Sequence, residues 1–162
     1  MPAPGSVLIV CTANICRSPI GEALLRHALA AEGEPLKSLI IESAGVAARR
    51  GAPMTEYAIA ALKKAGIQSP GHLSRPLTRE ILRDASVVLC MTEAHRSMIK
   101  QMAHPPPAHL YLFREFMPAG STREIADPYG GSLAMYETSR DEMVEAIPSL
   151  IAFFKTRFGA KD

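Results

Sequence analysis

The chain has 162 residues, of which 48% are hydrophobic and 21% charged, and its formal net charge is +2 at pH 7. This length and composition suit one globular domain, predicted over residues 1–162, with an apolar core of adequate size. The net charge is too small to indicate a nucleic-acid partner, and the basic residues are scattered apart from Arg49 and Arg50.

The N-terminal segment Met-Pro-Ala-Pro-Gly-Ser holds no basic region, and no stretch approaches the roughly 20 apolar residues of a membrane span. We therefore expect no membrane partner and a cytoplasmic location. The three cysteines are unevenly placed and lack the paired spacing of a zinc site. Reduced thiols, with no metal and no cofactor, are the expectation.

The first predicted unit is a strand, a loop and a helix. The β-favouring residues 7–10 suit a buried parallel strand. After the loop, Ser18 can cap a helix and Pro19 fits its first turn, where a missing N–H costs nothing. That helix is predicted to end at Gly33. One of its faces carries Ile20, Leu24, His27, Ala28 and Ala31.

The second unit repeats this pattern. Residues 38–43 are the second predicted strand, and Pro53 opens a helix that ends at Gly66. The apolar stripe of that helix consists of Met54, Ala58, Ala61, Leu62 and Ala65. Residues 66–77 are rich in Gly, Ser and Pro and are predicted as a loop.

Two more strands and their helices follow. A short helix from Thr78 and a third strand over residues 86–90 are predicted. Thr92 is predicted to cap the next helix, which ends at Pro105-Pro106-Pro107, and residues 109–113 form the fourth strand. Strands that alternate with helices indicate a parallel sheet covered on both faces.

The C-terminal part begins with a long irregular connection over residues 117–131, a length that is usually functional in a compact domain. The segment Ser139-Arg140-Asp141-Glu142 then predicts a capping box. An amphipathic closing helix follows it and is predicted to bend at Pro148.

The loop after the first strand carries Cys11 and Arg17 in a Cys-x5-Arg spacing. In open α/β sheets, ligands bind at the carboxyl ends of strands, and the N–H groups at the start of a helix attract anions. A thiol in such surroundings ionises readily, so Cys11 is expected to be a thiolate at neutral pH. Arg17 can bind two phosphate oxygens, and Ser18 can donate a hydrogen bond to the sulfur. The alternative is that Cys11 is a buried small hydrophobe.

The long connection holds a candidate acid. A thiolate that attacks phosphorus must expel an alkoxide or phenolate, and protonating that oxygen requires a positioned acid. Asp127 precedes a proline, which stiffens the backbone beside it, and Gly130 and Gly131 allow the connection to fold over a neighbouring site. By sequence alone, a simple turn is the better interpretation of Asp127-Pro128-Tyr129-Gly130.

The segment Cys11-Thr12-Ala13-Asn14-Ile15-Cys16-Arg17-Ser18-Pro19 resembles the signature of the low-molecular-weight protein tyrosine phosphatases. The likeness extends over almost the whole chain, through Ser43-Ala44-Gly45, His72 with Ser74-Arg75, Val88-Leu89-Cys90-Met91-Thr92 and Asp127-Pro128-Tyr129-Gly130, in the family's order. Ala13 departs from the family's usual glycine, and its methyl group requires a negative φ. The resemblance implies a single-domain, three-layer α/β sandwich of flavodoxin-like topology, with a four-stranded parallel sheet in the order 2-1-3-4.

For the site, the resemblance implies a metal-independent phosphatase that forms a phosphocysteine on Cys11, with Asp127 as general acid and then base. The phosphate would lie against the loop residues Thr12, Ala13, Asn14, Ile15, Cys16, Arg17 and Ser18. The resemblance further implies that Asn14, Ser18, Ser43 and His72 support the loop and that Ile15 and Tyr129 line the substrate pocket. Arg49 lies where many relatives carry an aromatic that lines the cleft, so it is a candidate pocket residue, and a solvated basic pair with Arg50 is the equal alternative.

The other thiols and imidazoles have simpler interpretations. In related enzymes, the cysteine that corresponds to Cys16 can form a reversible disulfide with the nucleophile. Cys90 is predicted as inert core. His95, His104 and His109 show no catalytic placement and are predicted as structural or exposed. Taken singly, Asn14 is also typical of a turn, Ser43 of a strand end and His72 of a surface loop.

Two signals disagree about the phosphate ester. The apolar Ile15 resembles the phosphotyrosine enzymes, whereas residues 127–142 and 43–46 resemble the protein-arginine-phosphatase branch. Hydrolysis of phosphotyrosine in proteins is therefore the prediction, and a protein-arginine phosphatase the alternative.

Two further classes are less favoured. An arsenate reductase requires additional cysteines as an electron relay, and a non-catalytic anion-binding module gives no reason for the thiol. The expected partners are a phosphorylated protein or peptide as substrate and inorganic phosphate as product. The chain is expected to be a monomer or a weak dimer.

Overall fold

The computed structural model describes residues 5–69 and 71–159. Its strands are Ser6–Cys11 (β1), Ile40–Gly45 (β2), Val87–Cys90 (β3) and Leu110–Leu112 (β4). Its α-helices are Arg17–Leu29 (α1), Glu56–Lys64 (α2), Arg79–Asp84 (α3), Glu93–Met102 (α4) and Leu133–Phe158 (α5), and a 3₁₀ helix spans Leu36–Ser38.

The four strands form one parallel sheet in the order β2-β1-β3-β4, which confirms the predicted topology. Cys11 lies opposite Gly45 of β2, and Val10 lies opposite Cys90 of β3. The carboxyl ends of these strands therefore meet at one edge of the sheet. The strand order reverses between β1 and β3, and such a switch point leaves a crevice for a ligand at that edge.

Helices cover both faces of the sheet, as predicted. Val7 and Ile9 of β1 belong to the apolar core on the side of α1, α2 and α5, whereas Leu8 and Val10 belong to the core on the side of α3 and α4. All four side chains are buried, because β1 is a central strand with a helical layer above and below it. This double burial explains why the strand is a continuous apolar run.

The first unit departs from the prediction at its boundaries. Ser18 does not cap α1, because the helix begins at Arg17 after Cys16, whose side chain makes no capping hydrogen bond. The helix ends at Leu29 and not at Gly33, and His27 is exposed rather than part of a buried stripe. The second strand begins at Ile40 rather than at residue 38, because residues 36–38 form the 3₁₀ helix.

In the later helices, a capping side chain marks each N-terminal boundary. Thr92 caps α4, as predicted, and Thr78, the predicted start of a short helix, caps α3. Thr55, not Pro53, opens α2, since its hydroxyl accepts a hydrogen bond from the Ala58 N–H. The predicted capping box at Ser139 is wrong: Ser132 caps α5, which already includes Ser139 and Pro148.

The predicted loops are confirmed where the structure describes them. Residues 117–131 contain no helix or strand. The same holds for residues 66–77 apart from Pro70, which lies outside the described residues. Across residues 5–69 and 71–159, no helix is long and apolar enough to cross a membrane.

Gly45 ends β2 directly against the loop that follows β1, and this contact predicts the effect of a substitution. A Cβ atom at position 45 would lie 2.5 Å from the carbonyl oxygen of Thr12 and 2.8 Å from the Cβ of Ala48. We expect Gly45→Ala to lower the free energy of unfolding by about 1–3 kcal/mol, because backbone must move to relieve the overlap. Chemical denaturation measures this change.

The matched control is Gly33→Ala, since a Cβ there meets nothing within 4 Å. Its expected effect is within about 0.5 kcal/mol. Equal stability of the two variants would show that the loop does not require a glycine at position 45.

Candidate active site

Residues 12–16 connect β1 to α1 and are tied to the neighbouring segments through the backbone. The carbonyls of Cys11 and Thr12 accept hydrogen bonds from the N–H groups of Val46 and Ala47, at 3.0 and 2.9 Å. The carbonyl of Ile15 accepts one from the N–H of Thr55, at 3.0 Å. The segment after β2 and the start of α2 thus hold both ends of the loop in place.

Asn14 gives the loop its shape. It is fully buried and has a φ of 60°, and it is the one non-glycine residue with a positive φ in the part of the chain that the structure describes. Asparagine tolerates this left-handed conformation better than most residues. Ala13 is not among the residues with positive φ, so the methyl group in place of the family's glycine is accommodated.

The Asn14 side chain organises the polar network predicted to support the loop. Its Oδ1 accepts a hydrogen bond from the Arg75 N–H at 3.0 Å. Its Nδ2 therefore points the other way and donates to the hydroxyls of Ser18 and Ser43, at 2.8 and 2.9 Å. His72 Nε2 lies 2.7 Å from the Asn14 carbonyl oxygen, so the structure brings all four predicted supporting residues together.

Two members of the network have no sequence prediction as supporting residues. Ser43 donates its hydroxyl hydrogen to Glu22 Oε1 at 2.7 Å, and Arg75 Nε donates to the Ser43 carbonyl at 2.9 Å. Glu22 belongs to α1. The helix that follows the loop therefore also holds Ser43, which in turn supports the loop through Asn14. An acidic side chain on a largely apolar helix was the available signal for Glu22.

The network directs a hydrogen onto the sulfur of Cys11. The Ser18 hydroxyl oxygen accepts from Asn14, which leaves its own hydrogen free, and Cys11 Sγ lies 2.9 Å away. The backbone N–H of Ser18 also donates to this sulfur, at 3.4 Å. Both donors are placed to stabilise negative charge on the sulfur.

Arg17 is buried, and its guanidinium is held on several sides. Nη1 donates to the carbonyl of Ile125 at 2.7 Å, and Nη2 lies 3.5 Å from Thr12 Oγ1 and 3.6 Å from Asp127 Oδ2. Ile125 and Asp127 both come from the irregular connection over residues 117–131. The arginine of the loop is thereby linked to the candidate acid.

The irregular connection is anchored by Ile125, which is fully buried and whose N–H donates to the Met91 carbonyl at 3.0 Å. This contact holds the connection at the carboxyl end of β3, and Asp127 follows after one residue. The Asp127 side chain is 51% exposed, and its Oδ1 accepts from the Tyr129 N–H at 3.1 Å. The turn that the sequence favoured for this segment therefore also orients the carboxylate.

The predicted nucleophile, the predicted acid and Arg17 line one cavity of about 60 Å³. Its full lining is Cys11, Thr12, Ala13, Ile15, Cys16, Arg17, Asp127 and Tyr129. Ile15 and Tyr129, the predicted pocket residues, both belong to this lining. Arg49, which the resemblance placed in the substrate pocket, is exposed and is not one of the described residues that line this cavity.

The other two cysteines are held as neutral thiols. Burial raises the pKa of Cys16, whose sulfur lies 3.3 Å from the hydroxyl of Tyr136 and 3.7 Å from that of Thr55. Burial also raises the pKa of Cys90 to about 12. Cys11, Cys16 and Cys90 are all free thiols, and the low reactivity expected for Cys90 agrees with its position in β3.

His95 is a further residue that contacts the loop and that the sequence interpretation did not place there. It lies in the first turn of α4 and is only 4% exposed, and its Nε2 is 2.9 Å from Thr12 Oγ1. Burial, with a contribution from the positive charge of Arg17, lowers the pKa of His95 to about 4. The ring is therefore neutral at pH 7. Its position three residues after the capping Thr92 placed it at the start of a helix, but gave no sign of contact with the loop.

Within the described ranges, no group of three or more His, Cys, Asp or Glu side chains is arranged to hold a metal ion. The charged groups that line the cavity are Arg17 and Asp127, with the sulfur of Cys11 beside them. A cation and hydrogen-bond donors around a sulfur suit a phosphate or another oxyanion.

Comparison with known proteins agrees with this arrangement. Residues 6–158 match the family model described as low molecular weight phosphotyrosine protein phosphatase. A protein-arginine-phosphatase of Bacillus subtilis is 35% identical over 144 residues, which are 89% of this chain and 93% of the relative. The low molecular weight protein-tyrosine-phosphatase Etp of Escherichia coli is 34% identical over 132 residues, 82% of each chain.

A solved structure gives the same result. The crystal structure of the tyrosine phosphatase AmsI from Erwinia amylovora superposes with a TM-score of 0.81 at 30% identity and covers 92% of both chains.

The lowered pKa of His95 predicts a loss of stability at acidic pH. The unfolded chain takes up a proton at this residue near its ordinary pKa of 6.5, whereas the folded pKa is about 4. Between these values the unfolded state binds more protons, so the free energy of unfolding decreases as the pH falls from 6.5 to 4. The contribution of this one group is at most about 3 kcal/mol.

Urea unfolding of the wild type and of His95→Gln, measured from about pH 7 down to about pH 4.5, isolates this effect because glutamine does not titrate. We expect the stability of the wild type relative to the variant to decrease as the pH falls from about 6.5 to 4.5. A difference that stays constant over this range would contradict the assignment of a neutral buried imidazole.

Proposed function

Because the chain belongs to the low molecular weight phosphotyrosine protein phosphatase family, we propose that it hydrolyses phosphotyrosine in proteins through a phosphocysteine on Cys11. The observation that carries this proposal is the cavity that Cys11 shares with Arg17 and Asp127. A nucleophile, a cation for the phosphoryl oxygens and an acid for the leaving group are the three groups that this reaction requires.

Binding of the phosphoryl group depends on the loop and on Arg17. The loop N–H groups at the start of α1 provide donors for the phosphoryl oxygens. The Arg17 guanidinium can bind two of these oxygens, and it balances the charge that spreads over them during in-line transfer. The contact of Arg17 with the Ile125 carbonyl fixes the side chain before the substrate arrives, so little ordering is needed on binding.

In the first step, the Cys11 thiolate attacks phosphorus. The sulfur–phosphorus bond forms as the bond between phosphorus and the tyrosyl oxygen breaks, and the Asp127 carboxyl group gives its proton to the departing oxygen. The products of this step are a free tyrosine side chain, the phosphocysteine and the Asp127 carboxylate.

In the second step, the Asp127 carboxylate removes a proton from a water molecule, which attacks the phosphocysteine. The oxygen–phosphorus bond forms while the sulfur–phosphorus bond breaks, and inorganic phosphate leaves. Cys11 departs as a thiolate, and the Ser18 hydroxyl at 2.9 Å supplies the hydrogen bond that stabilises it. The site returns to its initial state without a metal or a cofactor.

The walls of the cavity favour an aromatic ester. Ile15 and Tyr129 line the cavity, and Tyr129 is 67% exposed, so its ring is free to pack against a substrate side chain. A phosphoarginine would place a polar guanidinium against the apolar Ile15. Similarity to an arginine phosphatase nevertheless keeps phosphoarginine as the second candidate substrate.

Arsenate reduction and non-catalytic anion binding receive less support. An arsenate reductase needs a relay of reactive thiols, but Cys90 is fully buried and its pKa is raised to about 12. A non-catalytic anion-binding module would not need Asp127 beside Arg17. Several expectations from the sequence stay predictions. These are a cytoplasmic location, the absence of nucleic-acid and membrane partners, a monomeric or weakly dimeric state and a single domain over residues 1–162.

Substitution of the two reacting groups tests the mechanism. We expect Cys11→Ser to abolish hydrolysis of an aryl phosphate, because a serine hydroxyl in its place is a far weaker nucleophile. We expect Asp127→Asn to lower kcat by about 10²–10⁴, because the leaving oxygen is no longer protonated, while vanadate still binds.

The matched control is Cys90→Ala, which removes a thiol outside the cavity and should keep kcat within about twofold. Full activity of Cys11→Ser, or a requirement for an added metal ion, would rule this mechanism out. Mass spectrometry of protein quenched during turnover should detect one phosphoryl group on the peptide that contains Cys11.

The choice of ester is tested with phosphotyrosine and phosphoarginine peptides of otherwise equal sequence. We expect kcat/KM to be at least about tenfold higher for phosphotyrosine, the size of effect that one apolar contact in a pocket gives. Ile15→Thr should shift the ratio towards phosphoarginine because it replaces that apolar surface with a hydroxyl. A wild-type preference for phosphoarginine would establish the second candidate instead.

A further inference from the structure

His95 connects the N-terminus of α4 to the phosphate-binding loop. Its Nδ1 lies 3.1 Å from Thr92 Oγ1, and its Nε2 lies 2.9 Å from Thr12 Oγ1. Thr92 and Thr12 follow the adjacent strands β3 and β1, so the ring spans the gap between two strand ends. The ring is 4% exposed, and each of its nitrogens has a partner.

The hydrogen bonds of Thr12 continue this connection to Arg17. Thr12 Oγ1 lies 3.5 Å from Arg17 Nη2 and accepts a hydrogen from it. A hydroxyl oxygen has two lone pairs, so Thr12 can accept from Arg17 whether it donates to His95 or accepts from it. Both neutral tautomers of His95 therefore allow the same link from the ring through Thr12 to the guanidinium.

The position of Arg17 depends on a balance among its partners. Nη2 lies 3.6 Å from the Asp127 carboxylate, with which it forms a competing ion pair. If the Thr12 hydroxyl is free to rotate, that carboxylate is the remaining partner of Nη2, and the guanidinium is drawn towards the acid. Arg17 would then be less available for the phosphoryl oxygens, and Asp127 would be less available for the leaving group.

We propose that His95 is a positioning residue for phosphoryl transfer, which holds the Thr12 hydroxyl and through it the guanidinium of Arg17 in the cavity. The proposal rests on the phosphatase function proposed above. The neutral state of the ring at pH 7 supports it, because a protonated ring would place a second positive charge beside Arg17.

Because the two ring nitrogens contact different threonines, substitutions that keep only one contact distinguish a positioning role from a purely structural one. Asparagine at position 95 can replace the Nδ1 contact to Thr92 but is too short to replace the Nε2 contact to Thr12. Glutamine places its amide near the position of Nε2 and can replace the contact to Thr12. A role in packing or in the start of α4 would favour asparagine, whereas a role through Thr12 favours glutamine.

The first experiment compares His95→Asn with His95→Gln on an aryl phosphate. We expect His95→Asn to lower kcat about tenfold, and His95→Gln to stay within about threefold of the wild type, as expected for the loss or retention of one hydrogen bond that positions a charged group. Circular dichroism establishes that both variants fold. A kcat for His95→Asn equal to that of the wild type, or equal losses in both variants, would overturn the proposal.

The second experiment is a double-mutant cycle with Thr12→Val, which removes the hydroxyl and keeps the branched shape. If His95 acts through that hydroxyl, the variant with both Thr12→Val and His95→Asn has the same kcat as Thr12→Val alone. Losses that multiply in the double variant would show that the two residues act independently, and would overturn the proposal.

A binding measurement keeps this proposal distinct from the proposed function. Calorimetric titration with orthovanadate reports on Arg17 without any turnover. We expect His95→Asn to weaken vanadate binding about fivefold and His95→Gln to leave it within about twofold. A wild-type protein that binds vanadate but hydrolyses neither phosphotyrosine nor phosphoarginine overturns the proposed function. An active wild type whose vanadate affinity is unchanged in His95→Asn overturns the role of His95 alone.

Discussion

The left-handed turn at Asn14 is the constraint on which the site depends. For a residue other than glycine this conformation costs roughly 1–2 kcal/mol, and hydrogen bonds on both sides of the Asn14 amide offset that cost. Those bonds orient the amide, the amide orients the Ser18 hydroxyl, and the hydroxyl directs its hydrogen onto Cys11. The local strain and the activation of the sulfur are therefore parts of one network.

The parallel sheet explains why so many distant segments reach this network. Its strands end at one edge, so the segments after β1, β2 and β3 lie side by side there. Ser43 and the Thr55 N–H stabilise the loop from one side, and His95 contacts it from the other. The long connection is fastened to β3 by Ile125, which sets Asp127 opposite Arg17.

Burial gives the site its electrostatic character. His95, Cys16 and Tyr136 are all held in their neutral forms at pH 7, since burial lowers the pKa of His95 and raises the pKa values of Cys16 and Tyr136. Arg17 thereby faces a substrate phosphoryl group as a cation at the cavity wall. These neutral neighbours strengthen the interaction of a phosphoryl group with Arg17, because they place no further charge beside it.

The sequence by itself determined the loop, its Cys-x5-Arg spacing, the alternation of strands and helices, the short helix from Thr78 and the cap at Thr92. These features depend on residues close together in the chain. Only the tertiary structure decided that α5 begins after Ser132 and not at the predicted Ser139, and that the Ser18 hydroxyl faces a sulfur instead of capping a helix. It also brought His95 within hydrogen-bond distance of Thr12, which is 83 residues away in sequence. The reason is that a polar side chain takes the partner that folding brings within hydrogen-bond distance, and no local pattern records that partner.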